Sequence, residues 1–182
     1  KYRHVKFEIP DKYNPFDVAI KYNSVPDCDR RILFVVGHVP QEDLRSRRLF
    51  SGTTGTVFDN VVNWACEYYN APHLDKFDYA FFNYNAAKTY GKKPEVVAKI
   101  EDLFQRRLEK FVAQYKPTHV VAIGETALAA LMPAYATDLM PSWASYIGTE
   151  LKCSMSGVKF KLIPTVNFTR LLEGGGKKTA SG

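Results

Sequence analysis

Two kinds of apolar pattern alternate along the chain. Arg31–Gly37 (RILFVVG), Asp78–Asn83 (DYAFFN) and Thr118–Gly124 (THVVAIG) are short, nearly continuous apolar runs. Such runs predict strands buried on both faces, as in a parallel sheet. Val158–Thr165 (VKFKLIPT) alternates and predicts a fourth strand. Between the runs, apolar residues recur at helical spacing. Val57, Val61, Trp64 and Ala65 mark a helix over 56–69. Val97, Ile100, Leu103, Phe104, Leu108, Phe111 and Val112 mark one over 94–115, with Pro94 suited to its first turn. Glu125–Leu131 reads as a short Ala-rich helix ended by Pro133. Residues 38–55 read as loop.

Strand–helix alternation predicts an α/β fold: three layers, α/β/α, around a central, mostly parallel four-stranded sheet. Residues 1–30 read as an N-terminal extension packed on the core, with Tyr2, Phe7, Tyr13 and Phe16 as anchors. Residues 31–173 form the domain, and 174–182, rich in Gly, Lys and Ser, a flexible tail or linker. In such sheets ligands sit beyond the carboxyl ends of the strands. That directs attention to 37–55, 83–93, 124–126 and 165–172.

Composition adds a partner class. The 182 residues carry a formal charge of +6 and 14% aromatics. A basic, aromatic-rich chain suits a polyanion such as nucleic acid, whose bases can stack on rings. Cys28, Cys66 and Cys153 are too scattered for a zinc site and read as reduced cytosolic thiols. No metal and no cofactor is expected. No apolar run approaches the ~20 residues of a membrane helix, and KYRHVKFEIP lacks the apolar core of a signal peptide. A start without Met and an end in GGGKKTASG suggest a domain of a longer protein.

The loop after the first strand reads GHVPQEDLRSRRLFSGTTG. Its glycines ahead of a helix suit backbone approach to phosphate. The same spacing also fits an ordinary strand-to-helix connection. It is not a Walker loop, because no GK[ST] follows.

Gly37-His38-Val39-Pro40 with Phe50-Ser51-Gly52-Thr53-Thr54-Gly55 resembles the first motif, G-E-x-P-G … P-F-x-G-x-x-G, of family 4 uracil-DNA glycosylases. Phe82-Asn83, KPTHVVAIGETALAAL and Pro164-Thr165-Val166-Asn167-Phe168-Thr169-Arg170-Leu171-Leu172 resemble later blocks in the same order. The resemblance spans 31–172 and implies a uracil-DNA glycosylase-like fold that takes a flipped-out base into a pocket. Phe50 falls at the position that stacks on the base. Asn83 falls at the position that reads its edge, with Val39 alongside. Gly52, Gly55, Arg45, Arg48, Thr165 and Arg170 would meet the DNA backbone. Arg47, Lys177, Lys178 and the 88–93 segment (KTYGKK) add basic character nearby.

The catalytic positions depart from the pattern. His38 stands where the family has Glu, Asn167 where it has His, and Phe168 where it has Pro. His38 carries no negative charge, but a neutral imidazole can act as a base. Asn167 can donate a hydrogen bond without a charge. Glu42, or Asp43 beside it, is the replacement carboxylate considered. The family's frequent iron–sulfur cluster needs four thiolates, and this chain has three cysteines.

Three functions stay open. One is a diverged glycosylase removing uracil or a modified base. Another is a catalytically impaired DNA-binding module of a larger phage replication protein, a DNA polymerase, in the host cytoplasm. The third is a nucleotide-binding small-molecule α/β enzyme.

Overall fold

The computed structural model describes residues 22–46, 49–84, 93–132 and 143–168. The strands are β1 (Tyr22–Asn23), β2 (Arg31–Val36), β3 (Asp78–Asn83), β4 (His119–Ile123), β5 (Leu151–Met155) and β6 (Val158–Thr165). The helices are α1 (Gln41–Ser46), α2 (Thr53–Tyr68), α3 (Pro94–Tyr115) and α4 (Glu125–Leu131). Sheet order is β1-β3-β2-β4-β6-β5.

The four predicted strands are the inner ones, and all three of their pairings are parallel. Four strands is nevertheless too few. β1 and β5 add antiparallel edges, for a sheet of six. β1 has only two residues, and β5 (LKCSM) is short and mixed in polarity, so neither carries a buried-strand signature. β1 also places part of the N-terminal extension within the sheet.

Side chains alternate across the sheet. Leu33, Val35, Ala80, Phe82, Val120, Ala122 and Leu162 face one core, against α4 and the later turns of α3. Phe34, Val36, Tyr79, Phe81 and Ile123 face another, with Phe58 of α2 and Ile100 and Phe104 of α3. The sheet therefore carries helices on both faces.

Two helical expectations change. Part of the predicted 38–55 loop is helix α1. On α2 the buried residues are Thr54, Gly55 and Phe58, whereas Val61 and Trp64 of the expected stripe are exposed, Trp64 to 61%. The Trp64 ring stacks instead on Tyr68, 5.1 Å away on the same helix. Phe58 fills the aromatic cluster under α2, with Val57 and Val62 packed partly buried against it, which leaves Val61 and Trp64 to solvent.

Candidate functional site

The carboxyl ends of β2, β4 and β6 meet at one rim. The Gly37 amide donates to the Ile123 carbonyl at 3.0 Å, and the Gly124 amide to the Thr165 carbonyl at 2.9 Å. Ladder bonding thus runs one residue past two strands. Glycine is required at both places. A methyl group on Gly37 would lie 2.6 Å from the Ala127 amide nitrogen. Gly124 has φ +91°, open only to glycine at low cost, and this turn launches α4 directly from β4.

A cavity of about 210 Å³ opens at this rim, lined by Gly37, His38, Gly124, Glu125, Thr126, Trp143 and Asn167. His38 is exposed, and Glu125, Trp143 and Asn167 are half-buried. An imidazole, a carboxylate and an amide therefore share one small recess with an indole wall. Of the residues expected from sequence, His38 and Asn167 come together here. Glu125 and Trp143 carry no motif that distinguishes them in the sequence, although 124–126 follows a predicted strand.

Phe50 lies elsewhere. It is 7% exposed, stacked on Phe58 at 5.2 Å and edge-on to Phe81 at 5.0 Å, with Phe168 at 6.4 Å. Val39 belongs to the same buried cluster. Asn83 pairs in register with Val36 and so shares its sheet face. Phe50, Asn83 and Phe168 thus lie on the α2 side of the sheet. Phe50, Val39 and Asn83 are nevertheless absent from the lining of the 210 Å³ cavity.

The loop after α1 is built by a carboxylate. Asp43 is fully buried and accepts hydrogen bonds from the Phe50 amide, the Ser51 amide and the Ser51 hydroxyl, each at 2.8 Å. This clamp holds Phe50 at φ +55°. Asp43 is thus committed to the backbone. Glu42 points the other way: its exposed carboxylate lies against Gly52 at the start of α2, where a methyl group would overlap it, and it does not line the cavity. Gly55 is buried, and a methyl group there would overlap the Phe50 carbonyl oxygen, so its glycine serves packing. Arg45 is exposed in α1, and Thr165 is half-buried at the end of β6. Arg47, Arg48, Arg170, Lys177, Lys178 and residues 88–92 lie outside the described residues.

The family model described as the uracil DNA glycosylase superfamily matches residues 24–178. The chain belongs to the uracil DNA glycosylase superfamily. No curated protein matches it. Among the described residues no helix is long and apolar enough to cross a membrane, and no group of three or more His, Cys, Asp or Glu side chains could hold a metal ion.

Proposed function

We propose that this domain is a diverged, family 4-like DNA glycosylase that hydrolyses the N-glycosidic bond of a flipped-out base, with Glu125 as its carboxylate. The supporting observation is the rim cavity, where Glu125 faces the same space as His38 and Asn167. Small-molecule clefts usually occupy ~300–1,000 Å³. About 210 Å³ suits a single ring more than a whole nucleotide, which weighs against a nucleotide-binding small-molecule enzyme.

In this reading Trp143 supplies the flat wall that Phe50, already committed to Phe58, does not. Asn167 donates to the departing base, and His38 assists on the same side. Glu125 orients water and stabilises the cationic sugar. The bond from C1′ to the base nitrogen breaks, the base leaves with the electron pair, and the water oxygen bonds to C1′. The water's proton passes to Glu125 or His38. Phe50 and Val39 stay in the buried cluster on the α2 side, and Asn83 shares that face of the sheet. Gly52, Arg45 and Thr165, with Arg48 and Arg170, are assigned to the DNA backbone.

A second reading rests on the aromatic cluster. Phe58, Phe81 and Phe168 crowd Phe50 at the family's stacking position. That suits a binding module of a larger replication polymerase that has ceased to excise.

The test is a duplex carrying one deoxyuridine, followed by alkaline cleavage, repeated with a panel of modified bases. Excision should fall ~10²–10³-fold in Glu125→Gln, while Glu42→Gln should excise normally. Full activity in Glu125→Gln would remove the carboxylate assignment. Gel retardation without release of any base would favour the binding module. Gain of cleavage in Asn167→His would then show a pocket that is intact but disarmed.

A further inference from the structure

A second charged surface lies on the sheet itself, away from the rim. Antiparallel pairing sets Lys152 of β5 directly opposite Lys161 of β6, and Ser154 opposite Lys159. Parallel pairing sets His119 of β4 beside Lys161. Paired residues share a face. One row therefore runs His119–Lys161–Lys152 across three strands, with Lys159 two residues away along β6. Phe160, Leu162 and Met155 turn inward to the core, whereas Lys152, Ser154, Lys159 and Lys161 are all exposed. A shallow groove of about 560 Å³ runs over this face, with Thr118 and His119 on its other side.

Like charges placed opposite one another weaken a sheet. Among the described residues one acid answers them: Glu150 pairs with Lys161 at 3.0 Å. Lysine on an edge strand guards against stray strand pairing. That accounts for Lys152 on β5. It does not account for Lys159 and Lys161, because β6 is an inner strand with neighbours on both sides. The positive field is felt locally: burial first, then Lys161 and Arg30, push the His119 pKa below its ordinary value, against a smaller pull from Glu150.

The geometry points to this open face as a second DNA contact that grips the phosphate backbone outside the base pocket. Two residues of strand advance ~6.8 Å, a spacing that lets Lys159 and Lys161 address neighbouring phosphates. No aromatic side chain among the residues lining the groove is exposed for stacking: Phe160 is buried. The contact therefore reads charge and not sequence. From Lys161 to Thr165 the strand rises ~13 Å, so a duplex engaged at the rim can reach this face with its flanking backbone. The inference borrows from the proposed function only the choice of DNA as the polyanion.

The experiment is fluorescence anisotropy with a uracil-free duplex, and with one of its strands alone, from about 50 to 200 mM salt. Lys152→Ala/Lys159→Ala/Lys161→Ala should lower the slope of log affinity against log salt by ~2–3 on duplex, since each lost phosphate contact removes ~0.9. The corresponding triple arginine variant should keep the slope. Lys76→Ala/Lys99→Ala/Lys110→Ala removes the same charge from other exposed positions and should change it far less. Circular dichroism confirms that each variant is folded. An unchanged slope in the first variant, or an equal fall in the control, overturns the inference. So does tighter binding of a polyglutamate probe than of DNA, which would name an acidic protein as the occupant. Glu125→Gln run in the same titration keeps the two readings apart: its salt slope should match the parent's whether or not its excision falls.

Discussion

Replacing Asp43 tests the architecture on which the rim depends. Its carboxylate takes three hydrogen bonds at 2.8 Å, from two backbone amides and one hydroxyl, in a fully buried position. Hydrogen bonds to a charged group are worth ~1.5–3 kcal/mol each, and a buried amide left without a partner costs ~1–3 kcal/mol. Phe50 must also hold φ +55°, which costs a side-chain-bearing residue ~1–2 kcal/mol. These contributions overlap, because once the clamp goes the loop can relax. We therefore expect Asp43→Ala to destabilise by ~3–5 kcal/mol. At ~2–4 °C per kcal/mol for a domain of this size, Tm should fall by ~6–20 °C. Asp43→Asn keeps one acceptor oxygen but turns an amide NH₂ toward a donor, for a loss of ~1.5–3 kcal/mol. Ser51→Ala removes the hydroxyl's bonds to Asp43 and to the Ser46 hydroxyl; Ser51 is exposed, so water replaces both and the cost should be only ~0.5–1.5 kcal/mol. The contrary force is the desolvation of a buried carboxylate, which can exceed what its partners return. Urea unfolding of the three variants decides between them. An Asp43→Ala protein within ~1 kcal/mol of the parent, or more stable than it, would refute the clamp.

Two further predictions follow from other parts of the fold. Gly55 lies within α2, where helix propensity alone would make Ala better by ~1 kcal/mol. The overlap with the Phe50 carbonyl is against backbone, so Gly55→Ala should instead destabilise by ~1–3 kcal/mol in denaturant titration. Gly157→Ala meets open space and carries only the strain of φ +77°, so it should cost less; the reverse order would sink the packing argument. His119 has a lowered pKa, through burial and then Lys161 and Arg30. The unfolded chain then binds this proton at higher pH than the folded one. The stability it contributes is present above the ordinary histidine pKa of ~6.5 and is lost as pH falls below that value toward the folded pKa. His119→Gln should give a flatter stability curve between about pH 7.5 and 5, and curves that run parallel would show that this histidine is not responsible.

Length and periodicity were enough for the inner fold. The runs 31–37, 78–83 and 118–124 and the alternating 158–165 contain the four parallel strands, and the Pro94–Tyr115 stripe is α3 to the residue. The reason is local: a strand buried on both faces needs a continuous apolar run, and a long helix against a core needs an apolar stripe. The glycine turns after β2 and β4 also pointed to the rim where the cavity lies. The edges did not show, because β1 and β5 are held by backbone pairing with a neighbour and demand little of their own side chains. The partners around the site did not show either. Asp43 and Glu42 are adjacent in an acidic stretch, yet one is sealed beneath Phe50 and the other faces Gly52. Glu125 is the first residue of the predicted short helix, but only the fold shows that it shares a recess with His38 and Asn167. Phe50 carried the expected motif position, but Phe58, Phe81 and Phe168, remote from one another along the chain, determine what its ring touches. Residue type and spacing set which elements form; which side chains share a space depends on contacts between elements far apart in sequence, and only their packing decides it.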